Sequence, residues 1–99
     1  MNKLEICEVQ IVPIKPLNGL IGFASCVINN QFYVGNIAIY TSPSNLHGFR
    51  LVFPNKKLPS GQVVECFYPI NKEASELVTA AIVKKYIELM DNFHHLGAI

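Results

Sequence analysis

Residues 48–71 constrain the fold of this chain more than any other segment, because two strand-like runs flank a loop with two prolines. Side chains alternate with a period of two in residues 49–53 and again in residues 63–68, which is typical of strands with one face on a core. Pro54 and Pro59 lack the amide hydrogen that a sheet ladder needs, so both strands are expected to end at this loop. The segment therefore predicts a β-hairpin with a stiff, exposed loop.

The predicted loop carries two adjacent lysines, Lys56 and Lys57, which are the first candidates for a binding site. Ammonium groups on a rigid tip readily contact phosphate, and the alternative is a solvated turn that the lysines keep soluble. Arg50, the only arginine, lies in the preceding strand, where it either extends a basic stripe or marks the open face of the sheet. Lys72 follows the hairpin and is the fourth candidate.

Strands are also predicted before the hairpin. Three segments have strand patterns: residues 4–14, 20–28 and 31–40. In the first, the parity of the apolar residues changes, which predicts a bulge or register change near Ile6, and Pro13 and Pro16 are expected to end the strand. Asn29 and Asn30 are suited to a two-residue hairpin turn, because asparagine tolerates a positive φ.

One helix is predicted after the hairpin, over about residues 72–93. Asn71 is a suitable N-cap, and apolar residues recur at spacings of three and four, so Leu77, Ile82 and Leu89 are expected to pack on the sheet. The expected fold is α+β: a mostly antiparallel five-stranded sheet, built from a meander and a hairpin, with a C-terminal helix on one face. It occupies a single domain of residues 1–99.

Composition limits the location and the partners of the chain. Of its 99 residues, 51% are hydrophobic and 15% are charged, whereas about a quarter of residues are charged in an ordinary soluble domain. This apolar excess predicts a homodimer. No segment is long and apolar enough to cross a membrane and no signal-peptide core is present, so we expect a cytoplasmic protein without a membrane partner. The net charge is only +1, so nucleic-acid binding would require a local cluster of cations.

The residue pattern does not predict an enzyme. Three cysteines lie far apart in apolar strand patterns, as buried free thiols do: Cys7, Cys26 and Cys66. Cys66 has no helix start or glycine elbow beside it, and an enzyme that uses Cys66 or His47 is the least favoured alternative. His94 and His95 are adjacent and cannot share one helix face, so a zinc site is not expected. We expect no catalytic residue, metal, cofactor or small-molecule substrate.

Four aromatic residues at strand spacing have two interpretations: Phe32, Tyr33, Tyr40 and Phe49. They would stack nucleobases if one face of the sheet bound a single strand. Core packing is the preferred interpretation, because no arginines are interleaved with these residues in the sequence.

The hairpin and the start of the helix resemble the stage V sporulation protein G family (SpoVG, septation regulators). The shared pattern is a proline, a small polar residue, two basic residues, Pro-x-Gly, and Pro-Ile-Asn at the helix start. Here it consists of Pro54, Asn55, Lys56, Lys57, Pro59, Gly61, Pro69, Ile70 and Asn71. Residues 24–25, 32–34 and 37–39 also resemble the family's second and third strands, and the resemblance extends over about residues 4–90.

The resemblance implies a small, dimeric, non-enzymatic regulator that binds DNA and RNA and acts in septation, sporulation or gene regulation. In the family, basic residues in and after the hairpin loop are implicated in binding, and Lys56 and Lys57 carry over directly. Val64 stands where a third basic residue is expected, and Gln10 and Val12 stand where the first strand is often basic. The resemblance thus implies a retained fold with fewer cations. The alternative is a protein-interaction module of the same fold that does not bind nucleic acid.

Overall fold

A computed structural model describes residues 4–44 and 48–97, with side chains described as far as residue 92. Four strands form one antiparallel sheet in chain order: β1 (Ile6–Leu17), β2 (Leu20–Ile28), β3 (Phe32–Thr41) and β4 (Phe49–Val52). A separate antiparallel ribbon consists of β5 (Asn55–Lys57) and β6 (Val63–Glu65), and one helix follows, α1 (Lys72–Gly97). The predicted α+β class, with antiparallel strands and a C-terminal helix, is confirmed.

The structure divides the strands into four and two instead of placing five in one sheet. The predicted hairpin partners do not pair with each other, since β4 pairs with β3 and β6 pairs with β5. Pro54 separates β4 from β5, because it has no amide hydrogen with which to continue the ladder. Its carbonyl oxygen instead accepts a hydrogen bond from the amide of Cys66 at 2.9 Å. The chain therefore leaves the main sheet at Pro54 and starts a second one.

Asparagine-rich turns connect the first three strands. Asn29 and Asn30 have φ values of 53° and 56°, and the amide of Gln31 donates to the carbonyl of Ile28 at 3.0 Å. The turn lies where the sequence predicts it and has the expected positive φ at both asparagines. Ile28 pairs with Phe32, however, so the connection has three residues instead of the predicted two. The chain turns in the same way between β1 and β2, where Asn18 has a φ of 52°.

Bulges in β1 and β3 change which side chains face the helix. Glu8 has a φ of 49° and Asn36 a φ of 56°, and the strand pairing shifts register at both places. The bulge at Glu8 confirms the register change predicted near Ile6. The bulge at Asn36 places Val34 and Ile37 on the same face, where both are buried, although simple alternation would separate them.

Strand β1 is longer than the sequence predicts. Pro13 and Pro16 were expected to end it, but β1 continues to Leu17, and Pro13 pairs with Gly22. A proline is tolerated here because β1 is at the edge of the sheet that the described residues form, and no described strand pairs with its other side. That expectation was wrong because proline's effect on a strand depends on whether the strand lies at an edge.

The helix packs on one face of the four-stranded sheet, and the core lies between them. Its fully buried side chains are Cys26, Ile37 and Ile39 from the sheet and Ile82 from the helix. The helix begins as predicted: the side-chain oxygen of Asn71 accepts a hydrogen bond from the amide of Ala74 at 2.8 Å, which satisfies one of the free amides of the first turn. Phe49 extends the contact at the edge, where its ring meets that of Tyr86 edge-on at 5.5 Å.

The helix is rotated slightly from the predicted orientation. Ile82 is buried as expected, but Leu77 is 42% exposed and Val83 is buried in its place. The apolar stripe of an amphipathic helix is wide, so a small rotation about the helix axis changes which of its apolar side chains face the sheet. The expectation that Leu77 is buried was therefore wrong.

The opposite face of the sheet, here called the open face, is not covered by any element that the structure describes. Three rows of paired residues define it: Val12, Phe23, Ala38 and Val52 in the first, Gln10 and Ser25 in the second, and Cys7, Val27 and Tyr33 in the third. Tyr40 and Arg50 form a further pair beside the first row. Val12, Phe23 and Tyr33 are exposed. The sheet therefore carries apolar side chains on both faces and has only one helix to cover them.

Candidate nucleic-acid interface

The ribbon of β5 and β6 is an ordered hairpin closed by a tight turn. The amide of Gly61 donates to the carbonyl of Leu58 at 2.8 Å, which places Pro59 second and Gly61 fourth in the turn, as predicted. Gly61 has a φ of 93°, a conformation that glycine adopts without strain. The amide of Leu58 then donates to the carbonyl of Gln62 at 2.8 Å and begins the ladder. The tip is therefore only a few residues long.

Lys56 and Lys57 lie in strand β5 and not in the loop. Lys56 pairs with Val64, and Lys57 pairs with Val63. Successive side chains of a strand point to opposite faces, so the two ammonium groups leave opposite sides of the ribbon. The prediction that the two lysines lie side by side on a loop was therefore wrong. The prolines were expected to keep this segment out of a sheet, but it pairs with β6.

Each face of the ribbon combines one lysine with one exposed valine. Val64, which stands where the resemblance implies a basic residue, is directly opposite Lys56. Residues directly opposite in an antiparallel pair have Cβ atoms about 5 Å apart. A cation at this position would thus double the charge of that face, whereas valine adds apolar surface. Glu65 lies on the same face as Lys57, since it is two residues from Val63.

The other two predicted cations lie on separate elements. Arg50 is exposed on the open face, and its guanidinium lies over the ring of Tyr40, 4.8 Å from the ring centroid. Lys72 is the first residue of α1 and is exposed. The structure therefore brings Lys56 and Lys57 together on one thin ribbon, while Arg50 and Lys72 belong to other surfaces.

An open apolar groove of about 230 Å³ lies between the end of the sheet and the start of the helix. Leu4, Ile28 and Phe32 line it from one side, and residues 67–70 with Ala74 and Val78 line it from the other. Phe32 and Ile70 are 67% and 85% exposed. Side chains of this kind are normally covered by a partner when they form a continuous patch.

The candidate metal-binding and cysteine residues lie only partly within the described part of the chain. Within them, no group of three or more His, Cys, Asp or Glu side chains is placed to hold a metal ion. Burial, with a smaller contribution from Cys7, raises the pKa of the Cys26 thiol and keeps it protonated. Cys66 is exposed, which corrects the expectation that it is packed. The sequence candidates His47, His94 and His95 lie outside the described residues or side chains.

The helix of the described chain is not long and apolar enough to span a membrane.

The four aromatic candidates separate into two groups. Phe49 packs against the core, as preferred from the sequence, and Phe32 faces the groove. Tyr33 and Tyr40 lie on the open face, where Tyr33 is exposed. Core packing was therefore wrong for Phe32, which is 67% exposed, and for Tyr33 and Tyr40. One signal in the sequence could have indicated this for Tyr33, because a glycine two residues after an aromatic in one strand leaves room for the ring to lie along the strand.

Comparison with known proteins agrees with the resemblance noted from the hairpin. A sequence profile of the SpoVG family matches residues 4–88. Relatives bear the name "Putative septation protein SpoVG". One from Onion yellows phytoplasma is 30% identical over 90% of this chain and 87% of its own length. Another, from Archaeoglobus fulgidus, is 26% identical over 85% of this chain and 95% of its own length. A third, from Clostridium beijerinckii, is 29% identical over 84% of this chain and 88% of its own length.

Proposed function

This chain belongs to the SpoVG family, and from that membership we propose that it is a non-enzymatic, cytoplasmic regulator of septation that binds DNA or RNA as a homodimer. The observation that carries nucleic-acid binding is the ribbon, with one exposed lysine on each face. The major groove of duplex DNA is wide enough for a two-stranded ribbon. Lysines on opposite faces of an inserted ribbon would reach phosphates on both walls of the groove. Such contacts position a protein without reading sequence.

The proposal predicts a strong salt dependence. A homodimer presents four ribbon lysines, and each neutralised phosphate contributes about 0.9 to the slope of log affinity against log salt on duplex DNA. Replacing Lys56 and Lys57 together by alanine should weaken binding to all sequences alike and reduce the slope by up to about four. Fluorescence anisotropy of a labelled duplex between low and physiological salt measures both quantities.

The chain contains its own control for this experiment. Lys84 and Lys85 are also adjacent and exposed, but on α1, so their double alanine variant removes the same charge from another surface. It should bind as the unsubstituted protein does. Single variants of Lys56 and Lys57 then report whether one or both faces of the ribbon contact the ligand. If the ribbon variant binds with unchanged affinity and slope, the ribbon is not the site.

The homodimer is supported by the surface of the protomer. A compact protein of 11.0 kDa exposes roughly 5,600 Å², so the 7448 Å² exposed here is an excess of roughly 1,800 Å². Each partner in a standard interface buries about 800 Å². The radius of gyration, 14.6 Å, also exceeds the roughly 12.6 Å of a compact domain of this length. We place the second copy over the apolar groove and the neighbouring exposed valines of the ribbon.

This placement can be tested at Ile70. Because Ile70 is exposed in the protomer, Ile70→Asp should leave the fold intact but bury a charge in the dimer, and light scattering at micromolar concentration should report a monomer. Val12→Asp is the matched control, since Val12 is also exposed but lies on the open face; it should remain dimeric. If the unsubstituted protein is a folded monomer, the homodimer proposal is wrong. If only Val12→Asp is monomeric, the subunit interface lies on the open face instead of the groove.

A protein-interaction module that does not bind nucleic acid is the second candidate. The same groove favours it, because a groove lined by apolar side chains also suits an apolar segment of another protein. This module assigns the lysines only to solubility, so it expects the ribbon variant to behave like the Lys84 and Lys85 control. The salt experiment therefore separates the two functions.

A further inference from the structure

We propose that the open face is a stacking platform for single-stranded nucleic acid, with Tyr33 as its main base-binding side chain. This inference rests on the proposed nucleic-acid binding and assigns it a ligand class and a second surface. The ribbon lysines hold phosphates in this arrangement, and the open face holds bases. Three features of the open face support it: an open aromatic ring, an arginine stacked on a second ring, and the fact that this arginine is the one charged side chain among the paired residues.

Tyr33 presents its ring to solvent in a defined position. The side chain is 73% exposed, yet its ring rests against the backbone of Gly35. A Cβ atom at Gly35 would lie 3.0 Å from the Tyr33 hydroxyl oxygen and 3.1 Å from Cε2, which is too close for an alanine without movement of the ring. Glycine thus allows the ring to lie along the strand, leaving its outer side open. Bases of any identity stack on an aromatic surface of this kind.

Arg50 and Tyr40 provide a second stacking position on the same face. They are register partners on β4 and β3, and the guanidinium lies 4.8 Å from the ring centroid. A guanidinium can stack on a ring and still offer donors to a phosphate. From sequence, base stacking was disfavoured because no arginine is interleaved with the aromatics. Pairing of β3 with β4 places one there.

Charge favours a polyanion over a second copy on this face. Among the residues paired across the open face, Arg50 is the one charged side chain, and the carboxylate of β1, Glu8, is exposed at the bulge and unpaired in the ladder. In a symmetric dimer through this face, Arg50 would be buried and the paired residues of the second copy would offer it no carboxylate, which is costly. A phosphate backbone supplies the missing anion. The face is also close to the ribbon, since Lys56 follows Val52 by four residues, at most about 14 Å of extended chain.

The experiment compares an intact single strand with an abasic strand of the same length, which has the same phosphates but no bases. For each variant, the ratio of the two affinities isolates stacking from phosphate contacts and from any change in dimerisation. DNA and RNA versions distinguish the two sources of single strand. We expect Tyr33→Ala to reduce the ratio by about tenfold, the loss of one stacked base. Tyr33→Phe should preserve it.

Phe32→Ala is the matched control. Phe32 is adjacent in the chain and about as exposed, but it lies on the opposite face, beside the groove. Its ratio should equal that of the unsubstituted protein. A second measurement requires no substitution: the chain has no tryptophan, so its tyrosine emission can be followed directly and should be quenched by the intact strand but not by the abasic one.

The possible failures are distinguishable. If the protein binds neither strand nor duplex, both the proposed function and the platform are overturned. If it binds, but the ratio is near one or does not respond to Tyr33→Ala, only the platform is overturned and phosphate binding through the ribbon stands. If Tyr33→Ala or Val12→Asp converts a dimer to a monomer, the open face is a subunit interface and the platform is overturned.

Discussion

On the helix face of the sheet, Ile37 and Ile39 are fully buried beneath α1, whereas on the open face Val12 and Tyr33 are exposed to solvent. The same strands contribute both faces, because alternate side chains point in opposite directions. Apolar residues occupy both, but the described chain has one helix to cover one of them. The difference indicates that hydrophobic composition serves two purposes here. One face stabilises the protomer, and the other is the surface that we propose binds a ligand.

The largest expected effect tests whether stability comes from the helix face. Ile82→Ala removes a fully buried side chain and leaves a cavity, so it should lower the free energy of unfolding by about 2–5 kcal/mol. Val12→Ala on the open face should change it by no more than about 0.5 kcal/mol. Denaturant unfolding at one fixed protein concentration measures both, since dimerisation makes stability concentration-dependent. Equal losses would mean that the open face is buried in the folded protein.

A smaller effect distinguishes the observed helix orientation from the one predicted by sequence. Val83 is buried and Leu77 is largely exposed. Val83→Ala should therefore cost about 1.5 kcal/mol, from two buried carbons at about 0.8 kcal/mol each. Leu77→Ala should cost less, although it removes a larger side chain. The reverse order in urea unfolding midpoints would show that the helix meets the sheet along the border predicted from the sequence.

The smallest effect concerns how the helix begins. Asn71→Ala removes the acceptor of the Ala74 amide and should cost about 1 kcal/mol, while Asn71→Asp retains an acceptor and should cost little. The cost should stay below that of Ile82→Ala, because packing on the helix face contributes more than one cap. Thermal unfolding of the three variants tests this ranking. If Asn71→Ala lowered the free energy of unfolding as much as Ile82→Ala does, the ranking would be wrong.

Local features of the fold could be predicted well from the sequence. The turn at Asn29 and Asn30, the turn at Pro59 and Gly61 and the cap at Asn71 each depend on the backbone preferences of one or two residues. These preferences act over three or four positions, so they are present in the sequence pattern itself. The period-2 alternation of side chains in the strands and the helical spacing of apolar residues after Asn71 similarly predicted the α+β class. The hairpin motif predicted the family.

The candidate site could be predicted only in part. Lys56, Lys57 and Arg50 were identified as exposed cations, and all three are exposed. Their arrangement could not be read from spacing, because a loop and a strand direct adjacent side chains differently. The proposed stacking platform was only the less favoured alternative from the sequence, since it requires Tyr33 to lie over Gly35 and Arg50 to cross from β4 to Tyr40 on β3.

By itself, the sequence determined where the chain turns, where the helix begins and which family the protein belongs to. Only the tertiary structure decided that β5 leaves the main sheet, that Lys56 and Lys57 lie on opposite faces of a ribbon, and that Arg50 stacks on Tyr40. The physical reason is the range of the interactions. Turns and caps are set by neighbouring residues, whereas the pairing of strands and the choice of buried face depend on contacts between residues that are distant in the chain.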